Sequence, residues 1–581
     1  MTFAAKSDYL LETLWVPVGT ADRSVYALTL TNNSDRTIKG FRLGVSGPAR
    51  IDPAAEVEGG QLLVRLSNYA EFAPPEGFEL KPGATWTLKA LGMSFEPRHW
   101  TDGANAAFLV LSDGTNAPVA VLASRAHGDN AELKRGAAVY PVPKVAPVPV
   151  SIVPWPQAVA VSGQLLAPPG LDLKAEGSEA SAAAKSFADL TASLFPVEGI
   201  VRPAAEGGFP VELSKAAELG PEAYTIRFSP AGVAVSGGSE TGILYGLITL
   251  GQVLRGARSH PGTFVFPTGG EIKDEPALAW RGTHLDVARQ FYSTAEVERF
   301  LRLMAWNKLN RFHWHLTDDE AWRIEIDAYP ALTEIGAWRG HGRKIPPLLG
   351  SGPEPTGGYY TKAAVRQIVA LAASLGIEVM PEIDIPGHSY AMLQAIPELR
   401  DPDEKGSYHS VQGFPDNCLN PAREETYRVL EIIFDELIEL FPMRAIHVGA
   451  DEGLLRPADP LCHRRFRNQE GTRDLGGAQP VARHVDHVVH PPQDVEVALV
   501  IGVLFGSVVI PPVLHLMLTG FGFQGMEGAG PDALAAPQAA LMSSVATGIF
   551  DDSLNWNLIF LGAAIGSVVI IIDEIHTATT D

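Results

Sequence analysis

The stretch Ala445-Ile-His-Val-Gly-Ala-Asp-Glu452 constrains the fold of this chain more than any other. It is an apolar run able to form a buried strand, and it ends in two adjacent carboxylates, Asp451 and Glu452. Charge at the carboxyl end of a buried strand is costly unless a site uses it, and that strand end is where α/β folds keep their chemistry. The same grammar recurs upstream in Trp280-Arg-Gly-Thr-His-Leu-Asp286, Arg311-Phe-His-Trp-His-Leu-Thr-Asp-Asp319 and Ile377-Glu-Val-Met-Pro-Glu-Ile-Asp-Ile-Pro-Gly-His388. Each is a short apolar segment ending in His, Asp or Glu. They read as successive strands of one parallel barrel whose ends pool into one site.

The segments between them fit that reading. Ser293-Thr-Ala-Glu296 is a capping box that opens a helix reaching Asn307. Thr361 caps a helix to Leu375, and Glu424–Leu440 is a long amphipathic helix before the strand at Ala445. Strand and helix in alternation predict a parallel sheet with crossover helices.

Upstream the pattern differs. Residues 1–140 carry short alternating runs such as Val25-Tyr-Ala-Leu-Thr-Leu-Thr31, separated by turn chemistry at Asn32-Asn-Ser-Asp35, Lys81-Pro-Gly83 and Ser112-Asp-Gly114. This predicts an N-terminal antiparallel β-sandwich. Trp86 and Trp100 there suit either core packing or a sugar-binding surface. A Pro-rich linker, Pro141-Val-Pro-Lys-Val-Ala-Pro-Val-Pro149, marks a boundary. A small α/β domain follows over 148–275, with a helix at Ala180–Ser193, strands at Ala223–Phe228 and Gly232–Ser236, and a helix at Glu240–Leu254. The barrel segment is expected over 276–454.

At 581 residues several domains are required. Lys+Arg 45 against Asp+Glu 67 gives a formal charge of −22, which disfavours nucleic acid or an anionic membrane as the main partner. With only Cys418 and Cys462, neither a disulfide framework nor a Cys-rich metal site is expected. The start, Met1-Thr-Phe-Ala-Ala-Lys-Ser-Asp, has no basic region followed by an apolar one; no signal peptide is expected, which makes the cytoplasm the default compartment.

The candidate chemistry centres on Asp451 and Glu452. Neighbouring residues within a strand point to opposite faces, but at a strand end, where the chain turns, both reach one substrate. One carboxylate would lie beneath a substrate group and the next beside the leaving oxygen, and mutual repulsion would hold one of them protonated. His313 and His315 are two apart on a strand and share a face; with Asp318, Asp319 and Glu320 nearby they fit a metal site or a pair of hydrogen-bonded structural imidazoles equally well. His388, after a Pro-Gly turn, is placed to polarise a carboxyl. Arg281 and Arg289 flank the first strand, and Arg281, if it points inward, needs acceptors such as substrate hydroxyls.

Trp280-Arg-Gly-Thr-His-Leu-Asp-Val-Ala-Arg289, Met304-Ala-Trp-Asn-Lys-Leu-Asn310, Phe312-His-Trp-His-Leu-Thr-Asp-Asp319, Pro381-Glu-Ile-Asp-Ile-Pro-Gly-His388 and His447-Val-Gly-Ala-Asp-Glu452 together resemble glycoside hydrolase family 20, the β-N-acetylhexosaminidases. Gly242-Ile-Leu-Tyr-Gly-Leu-Ile-Thr-Leu-Gly-Gln-Val-Leu254 resembles the small domain that precedes the barrel in that family. The resemblance implies a (β/α)8 barrel and substrate-assisted retaining hydrolysis, in which the sugar's 2-acetamido oxygen is the nucleophile. It further implies that Asp451 orients the acetamide, Glu452 is the general acid and base, Arg281 holds the ring hydroxyls, and Asp318 and His388 relay toward Glu452. The partner would be an N-acetylhexosamine-containing oligosaccharide or glycoconjugate; no cofactor and no metal are implied.

The sequence departs from the family after Glu452. A closed barrel of this type takes about 250 residues, and 279–455 supply enough for only half of one. The later strands of the family carry tryptophans that box the sugar and a Tyr/Asp pair on the acetamide, and no equivalents follow Glu452. Residues 455–493 form an irregular Arg/His/Pro-rich junction. Within 494–581, residues 497–526 and 553–572 are uncharged and long enough to span a bilayer, for which about 20 apolar residues suffice. A hydrophobic, membrane-like helical tail is therefore expected, with membrane association through those two runs. Pro511-Pro-Val-Leu-His515, Ala536-Pro-Gln-Ala-Ala-Leu-Met542 and Trp556-Asn-Leu-Ile-Phe-Leu-Gly-Ala-Ala-Ile-Gly566 resemble a fragment of the oligopeptide transporter family. The chain thus reads as a truncated hexosaminidase joined to a transporter fragment. Two other readings compete: a metal-dependent amidohydrolase-type barrel using His313, His315, His388 and Asp451, and an inactive remnant that only binds carbohydrate.

Overall fold

A computed structural model of the chain describes residues 7–17, 23–66, 68–95, 97, 102–127, 148–400, 417–420, 423–443, 445–449, 495–499 and 568–574. In the N-terminal part, alternation along Tyr9–Val16, Val25–Asn32 and Thr85–Phe95 sends Leu11, Leu28, Leu30 and Leu88 into one core with Leu43, Phe72 and Leu109. Ten strands surround that core as a single hydrogen-bonded sheet, where two separate antiparallel sheets were expected. The join is Asn116–Val121, which pairs antiparallel with Ala106–Val110 and parallel with Tyr9–Val16. Trp86 is a core residue: it meets Phe41 edge-on at 5.5 Å and donates to the Gly59 carbonyl. Trp100 lies outside the described residues, as does the linker up to residue 147.

The small domain is a six-stranded sheet carrying helices Ser178–Leu194 and Glu240–Ser259. The second helix starts at Ser239, whose hydroxyl accepts from Thr241 N. It is apolar almost all round because it is covered on more than one side. Gly246 lies so close to Val235 of the sheet that an added Cβ would sit 2.6 Å from it, and Gln252 donates to the Trp306 carbonyl of the barrel segment.

The barrel segment contains four parallel strands, named here β1 (Gly282–Asp286), β2 (Arg311–Asp318), β3 (Glu378–Ile385) and β4 (Ala445–Gly449), side by side in that order. Three helices cross over between them: α1 (Thr294–Trp306), α2 (Lys362–Ser374) and α3 (Glu424–Ile438). The α1 capping box is formed, with Ser293 Oγ and Glu296 exchanging hydrogen bonds across the first turn. One face of β2 packs Phe312, Trp314 and Leu316 toward the helices, all fully buried. Its other face turns His313 and His315 to the barrel interior.

The tail differs from expectation. Val495–Leu499 and Val568–Glu574 are strands, and the latter pairs antiparallel with β4. Their runs of β-branched Val and Ile favour extended backbone over helix. Among the described residues no helix is long and apolar enough to cross a membrane. The rest of 497–526 and 553–572, and the junction 455–493, lie outside the described residues. Among the described residues the sheet holds four parallel strands and then turns antiparallel; it does not close.

Candidate active site

Strand register sets the site. Asp286 lies opposite His315, His315 opposite Glu382, and Glu382 opposite His447, so one row across β1 to β4 is wholly ionisable. One level toward the amino ends, His284 lies opposite His313. Glu382, only 4% exposed, receives His315 Nδ1 in an aligned hydrogen bond, with His313 Nε2 at 2.7 Å and His447 Nδ1 at 2.8 Å. Burial alone would raise the Glu382 carboxyl, but the surrounding imidazoles outweigh it and hold it well below the usual carboxylate range. Burial lowers His313 despite Glu382 beside it. His315 is also desolvated, yet a carboxylate at each ring nitrogen, Glu382 and Asp318, carries it well above the ordinary histidine value, so it stays an imidazolium.

At the carboxyl ends a second buried network follows. Asp318 Oδ2 meets His315 Nε2 at 2.8 Å and Arg289 Nη2 at 2.7 Å, while Oδ1 meets His388 Nδ1 at 3.0 Å and accepts from Asp319 N. Burial would raise Asp318, but His315, His388 and Arg289 together hold it far down. His388 sits at φ 48 after the Pro386-Gly387 turn. Burial would lower its imidazole, but Asp318 and Asp319 push it up to about 12. Asp319 is tied to Tyr390 N and Asn417 Nδ2. Arg289 also binds Asp286 and Glu320 at 2.9 and 3.0 Å. Burial first, and then the Asp318 charge, push Glu320 up to about 8, so it titrates near neutrality.

β4 delivers the chain to the two acids. Gly449 has φ 63, and a Cβ there would lie 1.9 Å from Asp384 Oδ1. Only glycine permits this turn so close to the Asp384 carboxylate. Asp451 and Glu452 come two and three residues later in the sequence and lie outside the described residues.

Of the residues expected from sequence, Asp318 and His388 are brought together in a direct hydrogen bond. Arg281 is not brought to them. It precedes β1, at the amino end, and its guanidinium is held by Glu222, the Tyr245 hydroxyl and the Lys308 and Leu278 carbonyls, tying barrel to small domain. The arginine at the carboxyl end is Arg289. Its position just past Asp286, rather than just before the strand, was the signal that separates the two. Glu382 and Asp384 were also missed, although alternation from Met380 places both on the interior face. Among the described residues no donor cluster joins His388 to His313 or His315, so the amidohydrolase ligand set is not assembled.

Comparison with known proteins agrees with this layout. Residues 278–490 match the family model "Glycosyl hydrolase family 20, catalytic domain", and 149–275 match its domain 2. Residues 487–580 match the model of the OPT oligopeptide transporter protein. A β-hexosaminidase of Vibrio furnissii is 32% identical over 438 residues, which cover 74% of this chain and 68% of that protein. A β-hexosaminidase of Porphyromonas gingivalis is 37% identical over 272 residues, covering 45% of this chain and 33% of that one. Among solved structures, a GH20 exo β-N-acetylglucosaminidase from Vibrio harveyi in complex with N-acetylglucosamine superposes with a TM-score of 0.64 at 27% identity, covering 77% of this chain and 68% of that chain.

Proposed function

Because this chain belongs to glycosyl hydrolase family 20, we propose that it removes terminal β-linked N-acetylhexosamine from glycans or glycoconjugates, with the substrate's own acetamide as nucleophile. Asp451 orients the acetamide and stabilises the charge that develops as its oxygen attacks the anomeric carbon. Glu452 protonates the leaving oxygen and then activates water. The observation that carries this reading is the buried Asp318–His388 pair at the carboxyl ends of β2 and β3, one strand from the turn at Gly449. An imidazolium locked to a carboxylate at these strand ends is a fixed dipole of the kind that tunes the proton affinity of a general acid. Arg289, 30% exposed and fixed by three carboxylates, replaces Arg281 as the guanidinium presented to sugar hydroxyls.

The test is release of nitrophenol from a nitrophenyl N-acetyl-β-glucosaminide, run beside the plain β-glucoside. The expected result is hydrolysis of the first alone, inhibition by a thiazoline mimic of the cyclised intermediate, and a loss of about 10²- to 10⁴-fold in Glu452→Gln. Equal rates on the plain glucoside would overturn the acetamide's role. One observation favours a second reading: the open sheet among the described residues leaves the site walled on one side only. On that reading the chain binds N-acetylhexosamine without turnover, and calorimetric binding with no nitrophenol release would establish it.

A further inference from the structure

Asp318, Asp319 and Glu320 are three consecutive buried acids, and their partners differ. Asp318 pairs with Ala321 of the short strand Ala321–Trp322, so Asp319 and Glu320 are the two residues of a tight turn that folds back on β2. Asp318 is shared among His315, His388 and Arg289, and Asp319 accepts from Tyr390 N and Asn417 Nδ2. Glu320, 1% exposed, has one hydrogen-bond partner among the described residues, the Nε of Arg289 at 3.0 Å. A carboxyl withdrawn from water to this depth is costly unless a cation takes its charge, and here that cation is Arg289. The other two anchors of the guanidinium have further partners: Asp286 accepts from Ala288 N and Arg289 N, and Asp318 holds two imidazoles. With Glu320 on Nε, Asp286 on Nη1 and Asp318 on Nη2, the Arg289 fork has one orientation, and its exposed part points one way.

We propose that Glu320 is a positioning residue for the sugar, acting through Arg289: it clamps the Nε edge and so fixes the direction in which the guanidinium meets the ring hydroxyls. This rests on the assignment of Arg289 to those hydroxyls. Glu320 also sits where its charge state can change. Its own turn places Asp318 and Asp319 beside it, the segment after β3 brings His388, the sandwich brings Arg50, and the chain after β2 brings Arg323 and Arg339. Burial and the two aspartates oppose its ionisation, the cations favour it, and the outcome is a carboxyl pushed up to about 8. Protonated, Glu320 accepts from Arg289 as a neutral group; ionised, it adds the opposing charge, and hydrogen bonds between charged partners are the stronger ones. The clamp therefore tightens as pH rises through about 8.

The full-length chain is compared with Glu320→Gln and Glu320→Asp by steady-state hydrolysis of a nitrophenyl N-acetyl-β-glucosaminide across pH. At about pH 9.5, Glu320→Gln is expected to raise KM about tenfold, the scale of one hydrogen bond to a charged group, and to change kcat much less. At about pH 6.5, where Glu320 is itself protonated, the two KM values should converge. Glu320→Asp keeps the charge on a shorter arm, so its KM should fall between the two and keep the pH dependence. An unchanged KM at the alkaline end, a KM ratio independent of pH, or a loss confined to kcat would overturn the clamp; a purely structural carboxyl would lower the melting temperature without this pattern. Arg289→Lys separates the two claims. If it raises KM and Glu320→Gln does not, the role of Glu320 alone is wrong; if neither does, Arg289 does not hold the sugar. If Glu320→Gln fails to fold, Glu320→Asp decides. Should the chain bind N-acetylglucosamine without turnover, Kd by calorimetry replaces KM in the same comparison, and a chain that neither binds nor hydrolyses removes the assignment of Arg289 and Glu320 with it.

Discussion

Arg281 and Arg289 flank the same strand, and the end each occupies decides what it can do. Arg281 forms a fork with Glu222 of the small domain, at 15% and 26% side-chain exposure. Arg281→Lys is therefore expected to lower stability by about 1.5–3 kcal/mol, the scale of a charge-assisted hydrogen bond, with kcat/KM unchanged. Arg289→Lys should lower kcat/KM by about 10- to 100-fold through loss of a similar interaction with the sugar. Steady-state kinetics and urea unfolding of both variants check this, and the opposite pattern would restore Arg281 to the site. The Asp318–His388 pair carries a pH signature. Asp318 is held down, so its contribution is present above the unfolded carboxylate range, about pH 4, and is lost as pH falls through the folded value. His388 is raised from 6.5 to about 12, so its contribution is complete below pH 6.5 and declines as pH rises toward 12. Both are complete only from about pH 4 to 6.5. The stability gap between the unmodified chain and His388→Gln should be widest there and narrow above it; a gap that grows from pH 6.5 to 9 would contradict the imidazolium.

At the scale of elements, β4 is the part whose exact path matters most. Its alternation sends His447 and Gly449 to the interior, and Gly449, at φ 63, turns left-handed at the end of the strand. Gly449→Ala combines a backbone cost of about 1–2 kcal/mol with direct overlap of Asp384. Hydrolysis should fall below a tenth, from redirection of Asp451 and Glu452, while the far-ultraviolet circular dichroism stays the same; an unaffected rate would mean that the turn does not aim the acids. The helices were readable because their caps are local. Ser293 with Glu296, and Thr361 accepting from Ala364 N, are short-range chemistry that needs no knowledge of the rest of the fold. At Val568–Glu574 the tail is strand where a helix was expected, because an uncharged run rich in Val and Ile satisfies the length criterion for a bilayer span while its branched side chains equally favour a strand beside an open sheet edge.

Across the whole molecule, the sandwich rests on the loop after β2 through Asn68 to Leu349 N and Ser46 to Gly350 N, and the small domain rests on the barrel through Arg281 and the buried helix Glu240–Ser259. Val568–Glu574 covers the free edge of β4. A chain ending at residue 454 would expose that edge, and light scattering should show association that grows with concentration; a monodisperse shortened chain would show that the edge needs no cover. The amino-acid sequence by itself determined the order of strands and helices and the end of the sheet at which the acids collect, because period and capping are local properties. It determined the pairing of Asp318 with His388 only through resemblance. The tertiary structure alone decided which arginine faces the site, and that four histidines gather on Glu382. Those depend on register between strands far apart in the chain, and register is set by packing of the whole sheet rather than by any segment within it.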